Sequence, residues 1–85
     1  MARVMVFLAD GFEEIEGLTV VDLLRRAGSE VVTVSVMGRK EIRGSHEIQI
    51  QADELFEDME FARGDVLVLP GGMPGTLHLK EHEGL

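Results

Sequence analysis

Glu16 stands four, seven and eleven residues before Val20, Leu23 and Ala27. At 100° per residue these positions share one stripe of a helix, the stripe expected to face inward. A carboxylate there is partly desolvated, which disfavours its ionised form and raises its pKa. A carboxylic acid kept protonated near neutral pH can donate a hydrogen bond to an anion. The alternative is a surface glutamate near a helix start, stabilised by the helix dipole; the pattern leaves both open. Glu13 and Glu14 lie nearer the helix end and fit a surface role better. A second candidate is Gly71-Gly72, directly after the apolar run Val66 to Leu69. Paired glycines let the backbone turn sharply and aim N–H groups at a ligand, as in an oxyanion hole. A tight strand-to-helix turn without a ligand has the same signature. The pair belongs neither to a G-x-G-x-x-G fingerprint nor to a P-loop.

Other chemistries are absent. The chain has no cysteine, which removes disulfides, thiolate metal sites and a cysteine nucleophile from it. His78 and His82 are four apart beside Glu81 and Glu83. The H-E-x-x-H arrangement is missing and no third ligand is evident, so a solvated helix face is expected and no metal. The methionines read as packing residues.

The elements that position these groups follow from periodicity. Val4 to Ala9 is a continuous apolar run, suited to a parallel strand covered on both faces. Asp10 with Glu13 three residues later resembles a capping box. A helix over Glu14–Ala27 follows, with Arg25 and Arg26 in its last turn and Gly28 as a left-handed cap. Glu30 to Met37 alternates over Val32, Val34 and Val36 and forms a second strand, completing a βαβ unit. Glu41-Ile42-Arg43 and His46 to Gln51 suggest a short polar hairpin. Asp53 is placed to cap a brief helix carrying Leu55, Phe56 and Met59. Val66 to Leu69 is a third buried parallel strand, and a helix begins at Thr76 and runs on to Leu85. Glu16 follows the carboxyl end of the first strand and Gly71-Gly72 that of the last. Ligands of open parallel sheets bind in the crevice outside those ends.

The bulk properties set further bounds. The 85 residues are 45% apolar and 28% charged, as in an ordinary folded domain. The net charge of −8 repels phosphate backbones, so nucleic acid is not an expected partner. No apolar run approaches the roughly 20 residues of a membrane span, and Met1-Ala2-Arg3 leads straight into a strand without a signal-peptide pattern. Cytoplasmic residence is the expectation. Three strands and one complete helix cannot cover both faces of a sheet, and the chain stops inside a helical pattern. Residues 1–85 are therefore expected to be the N-terminal part of a single domain.

Three blocks together resemble the ThiJ/PfpI family, in the branch of the Parkinson-associated protein deglycase. They are Asp10-Gly11-Phe12-Glu13-Glu14-Ile15-Glu16, Asp22-Leu23-Leu24-Arg25-Arg26-Ala27-Gly28 and Asp65-Val66-Leu67-Val68-Leu69-Pro70-Gly71-Gly72. The resemblance implies an α/β, flavodoxin-like three-layer sandwich with a mostly parallel sheet, of which this is the first part. It implies an active-site cysteine at a strand-to-helix elbow and a histidine after it, both beyond Leu85. Glu16 matches the glutamate that bonds the cysteine sulfur, favouring thiolate and able to stabilise a sulfinate. Gly71 and Gly72 match glycines of the oxyanion site, and His46 falls where some relatives place an arginine near an anion pocket at a dimer interface. Met73 stands where relatives often have a polar residue. The implied activity is cofactor-independent, glyoxalase- or deglycase-like action on small aldehydes such as methylglyoxal, once the cysteine-bearing remainder is present. The alternatives are a redox sensor or chaperone using an oxidisable cysteine, and a PfpI-like cysteine peptidase or amidohydrolase. The helix has a second apolar face at Ile15, Leu18 and Val21, which agrees with a homodimer.

Overall fold

In the computed structural model, residues 3–60 and 65–70 are described. The first strand, β1 (Arg3–Leu8), is followed by helix α1 (Glu14–Arg26) and β2 (Glu30–Ser35). Next come β3 (Glu41–Arg43), β4 (Gln49–Gln51), β5 (Glu54–Leu55), a 3-10 turn (Phe56–Asp58) and β6 (Val66–Val68). Four strands form a parallel sheet in the order β5-β2-β1-β6, while β3 and β4 make a separate antiparallel ribbon. The register runs from Arg3 opposite Glu30 to Leu8 opposite Ser35, and Val4 to Val6 lie opposite Val66 to Val68.

The apolar run of β1 is buried on both sides, as the absence of alternation requires. Val4, Val6 and Leu8 pack with Phe12, Val21, Val31 and Ile42 on the face that α1 covers. Met5, Phe7 and Ala9 pack with Val34 and Val36 on the other, where Phe56 and Met59 close over them. The rings of Phe7 and Phe56 are tilted, with centroids 5.9 Å apart.

Two expectations are corrected. The helix expected after Asp53 is instead a fourth parallel strand and a 3-10 turn. Asp53 does not cap the residues that follow it: its carboxylate accepts the Thr33 N–H at 3.0 Å, and its own N–H donates to Thr33 Oγ1 at 2.8 Å. That reciprocal pair fastens the segment to β2. The cap also differs: the helix begins at Glu14 as expected, but Glu13 and not Asp10 is its N-cap, accepting the Ile15 N–H at 3.2 Å. At the other end the expectation holds, with Gly28 at φ 90° and Arg25 and Arg26 in the last turn. The helix expected from Thr76 lies outside the described residues.

Candidate functional site

Helix α1 faces the sheet with a different stripe from the one its leucines suggest. Glu14, Gly17 and Val21 are its buried residues, whereas Glu16 is exposed and Leu23 is 59% exposed. The expected burial of Glu16 is thus corrected. The phase is set by Gly17, where a Cβ would stand 2.9 Å from the Phe12 ring, too close to be accommodated without a shift. A missing side chain decides which face packs, and hydrophobic periodicity does not register it.

This rotation buries Glu14, leaving it 4% exposed beneath the connection between β3 and β4. That connection is pinned to the loop after β1. Gly11 N–H donates to the Arg43 carbonyl and Ser45 N–H to the Phe12 carbonyl, both at 2.8 Å. Asp10 accepts the Arg43 N–H at 3.1 Å and pairs with the Arg39 guanidinium. Gly44 is buried because the Glu14 carboxylate occupies the space its Cβ would take.

The carboxylate is fully engaged. Oε2 accepts the main-chain N–H of His46 at 2.7 Å and of Ile48 at 3.4 Å, and Oε1 accepts the Ser45 hydroxyl at 3.2 Å. The His46 ring also contacts Oε1, through Nδ1 at 2.8 Å. Burial pushes the Glu14 carboxyl up. The bonds from the His46 ring and the surrounding amides outweigh it and hold the pKa at about 2, below the ordinary 4.5. The His46 imidazole is raised by its bond to Glu14 and by the negative charge of Glu14 and Glu13, whose Oε1 lies 3.9 Å from Nδ1. Glu14 was the residue sequence reasoning missed. Its signal was the series Glu14, Gly17, Val21 and Leu24, disguised by a glycine and headed by a charge.

Ser45, His46 and Glu14 resemble a nucleophile–base–acid relay in composition only. Ser45 Oγ and Glu14 Oε1 both meet Nδ1, whereas a relay uses the two ring nitrogens separately. Glu13, Glu14 and His46 also bring ligand-type atoms within 4.8 Å of one another. A cation would have to displace the Nδ1 proton and compete with the amide donors of Glu14, so hydrogen bonding is what this geometry supplies.

Of the other sequence candidates, Gly71 and Gly72 lie outside the described residues. The residue before them, Pro70, is buried, and its Cγ would be 3.5 Å from a Cβ at Gly17. The chain leaving β6 therefore arrives against the turn of α1 that carries Glu16. Pro70 and that turn of α1 meet at one edge of the sheet, outside the carboxyl ends of β1 and β6.

A mostly parallel sheet, whose strands β1 and β2 are packed on both faces, defines a flavodoxin-like α/β protein. The sequence pattern of the DJ-1/PfpI family matches residues 2–85. The chain belongs to this family. It is 40% identical over 81 residues to the Parkinson disease protein 7 homolog of Danio rerio, covering 93% of this chain and 42% of that one. A deglycase of Thermococcus kodakarensis is 34% identical over 80 residues, with 93% and 48% covered. The structure of oxidised Toxoplasma gondii DJ-1 superposes with a TM-score of 0.94 at 38% identity, over 100% of this chain and 46% of that one. The chain thus spans less than half the length of each of these relatives. Among the described residues no helix is long and apolar enough to cross a membrane.

Proposed function

We propose that residues 1–85 are the N-terminal part of one domain of a cysteine-dependent, cofactor-independent enzyme of glyoxalase or deglycase type. Its substrates would be small reactive aldehydes such as methylglyoxal. The reading rests on family membership and on a relative named as a deglycase. The observation that carries it is the seating of Pro70 on Gly17, which brings the approach to Gly71-Gly72 beside Glu16. In this scheme a cysteine beyond Leu85 attacks the carbonyl carbon, Glu16 hydrogen-bonds the sulfur, and the Gly71 and Gly72 amides stabilise the developing oxyanion. His46 is assigned to the anion or substrate pocket of this scheme. Of the helix face expected at a homodimer only Ile15 stays exposed, since Val21 is buried and Leu18 packs on the core; Ile15 and Ile48, 74% and 51% accessible, are the contacts assigned to a homodimer. The compartment assigned is the cytoplasm.

A second reading is a redox sensor, in which Glu16 stabilises an oxidised cysteine; the oxidised state of the Toxoplasma relative favours it. Methylglyoxal turnover and peroxide sensitivity of the full-length protein separate the two. Glu16→Gln is expected to lower turnover and to change sulfinate formation. If both stay at wild-type levels, Glu16 has no part in the site.

A further inference from the structure

The cradle around Glu14 has a chemical consequence for His46. An ionised carboxylate can only accept hydrogen bonds. With Nδ1 2.8 Å from Glu14 Oε1, Nδ1 must carry hydrogen whether the ring is neutral or charged. The neutral ring is therefore the Nδ1–H tautomer, and Nε2 is the atom that gains and loses a proton. One carboxylate holds both the main chain and the ring of this residue, since the His46 N–H reaches Oε2 at 2.7 Å. Ser45 Oγ braces Nδ1 at 3.1 Å. The ring is anchored on one side and open on the other: the side chain is 67% exposed, and Nε2 meets no group among the described residues. A carboxylate that fixes a histidine tautomer and leaves the distal nitrogen free is the arrangement that general acid–base groups require.

The surroundings suit this role. From α1 the ring faces Glu13 and Glu14; from the loop after β1 comes Asp10, already paired with Arg39; its own hairpin carries Arg43 and Glu47. The nearest charges are the two glutamates, and they favour the imidazolium. Glu13 caps α1, and Glu16 lies in the first turn of the helix that it caps. His46 stands beside Glu13, with Nδ1 3.9 Å from its Oε1, and so at the end of α1 that carries Glu16.

We propose that His46 is an acid–base residue of the carbonyl site, with Glu14 as the positioning residue that sets its tautomer; this rests on the aldehyde reading above. As a thiolate adds to the aldehyde carbon, the C–S bond forms and the carbonyl π pair moves to oxygen. The Nε2–H proton passes to that oxygen, leaving a neutral hemithioacetal and a neutral ring. When the adduct reverts, the hydroxyl proton returns to Nε2 as the C–S bond breaks.

The test is the pH dependence of methylglyoxal turnover by the full-length protein and its variants, with folding followed by circular dichroism. Loss of a general acid lowers kcat/KM by about 10²–10⁴-fold, and this is expected for His46→Gln together with loss of the alkaline limb. His46→Arg keeps positive charge but holds its proton too tightly to transfer it, so it should not rescue. Glu14→Gln removes the charge that favours the imidazolium and should move the alkaline limb to lower pH. Wild-type rates in His46→Gln, full rescue by arginine, or a limb unmoved in Glu14→Gln would each overturn the role of His46 alone. A wild-type protein without aldehyde turnover would overturn the aldehyde reading and this role with it. Nitrogen-15 spectra of the ring give a readout independent of activity: once the ring is titrated to its neutral form at high pH, hydrogen on Nδ1 and a bare Nε2 are expected, and a neutral ring protonated at Nε2 instead refutes the assignment.

Discussion

Gly44→Ala tests the cradle directly. Gly44 is buried and has a backbone φ that alanine adopts, so the substitution acts through space and not through strain. The added methyl overlaps Cγ, Cδ and Oε2 of Glu14, whose carboxylate is held in place by four hydrogen-bond donors. Forcing one methyl group into a filled space costs about 1–3 kcal/mol. For a domain of about 150–250 residues this lowers Tm by about 2–12 °C, at about 2–4 °C per kcal/mol. The assay is equilibrium unfolding of four full-length proteins: wild type, Gly44→Ala, Glu14→Ala and the double variant. Glu14→Ala removes every atom the methyl would strike. In that background Gly44→Ala should cost nothing, or stabilise by up to about 0.4–1 kcal/mol by restricting the unfolded chain. A second readout comes from the same proteins. Expelling the Glu14 carboxylate releases the His46 ring, whose pKa should fall back towards its ordinary value of about 6.5. If Gly44→Ala destabilises equally in both backgrounds and leaves His46 unchanged, the cradle does not exist as described.

Three further outcomes follow from the same geometry. Folding raises the pKa of His46 above 6.5 and lowers that of Glu14 from 4.5 to about 2. Their bond thus stabilises fully only between about pH 4.5 and 6.5, fading as pH rises through the folded His46 pKa and as it falls towards about 2. The stability difference between wild type and His46→Gln should peak in that window, and a pH-independent difference would count against the pair. Phe12→Ala should cost about 3–5 kcal/mol in denaturant unfolding, because Phe12 is fully buried and is the surface on which Gly17 packs; a loss no larger than that of a surface substitution refutes the packing. Asp53→Ala should cost about 1 kcal/mol and selectively speed amide hydrogen exchange in β5, since Asp53 joins β5 to Thr33; uniform exchange would show that the tie is not local.

The parallel sheet was legible because it is written in runs that need no context. Val4 to Ala9 is too continuously apolar to have a wet face, and the arginines and Gly28 end α1 where the structure ends it. Hydropathy also marked Leu18 and Val21 as a face of the helix, but it marked Leu23 and Ala27 as well. Choosing between them required knowing that Gly17 meets Phe12, a contact made by absence of volume. Glu14 was hidden for a related reason. A glutamate in a first helical turn ordinarily answers the helix dipole in water; only the β3–β4 connection folding over it turns it into a buried acceptor. The short β5 depended likewise on a partner, Thr33, that lies far away in sequence. Local signals specified elements, and what they missed were the contacts between elements.

The strand order carries a consequence for how the chain is made. β1 lies inside the sheet, with Arg3 opposite Glu30 on one side and Val4 opposite Val66 on the other. At translation rates of about 5–20 residues per second, Val66 follows Glu30 by roughly 2–7 s. Throughout that interval β1 can dock on β2 while its other edge shows unpaired N–H and C=O groups, the condition that invites wrong strand pairing. The nascent protein thus passes through a stage in which its most apolar strand is half-zipped, and the pace of synthesis between β2 and β6 sets how long that stage lasts.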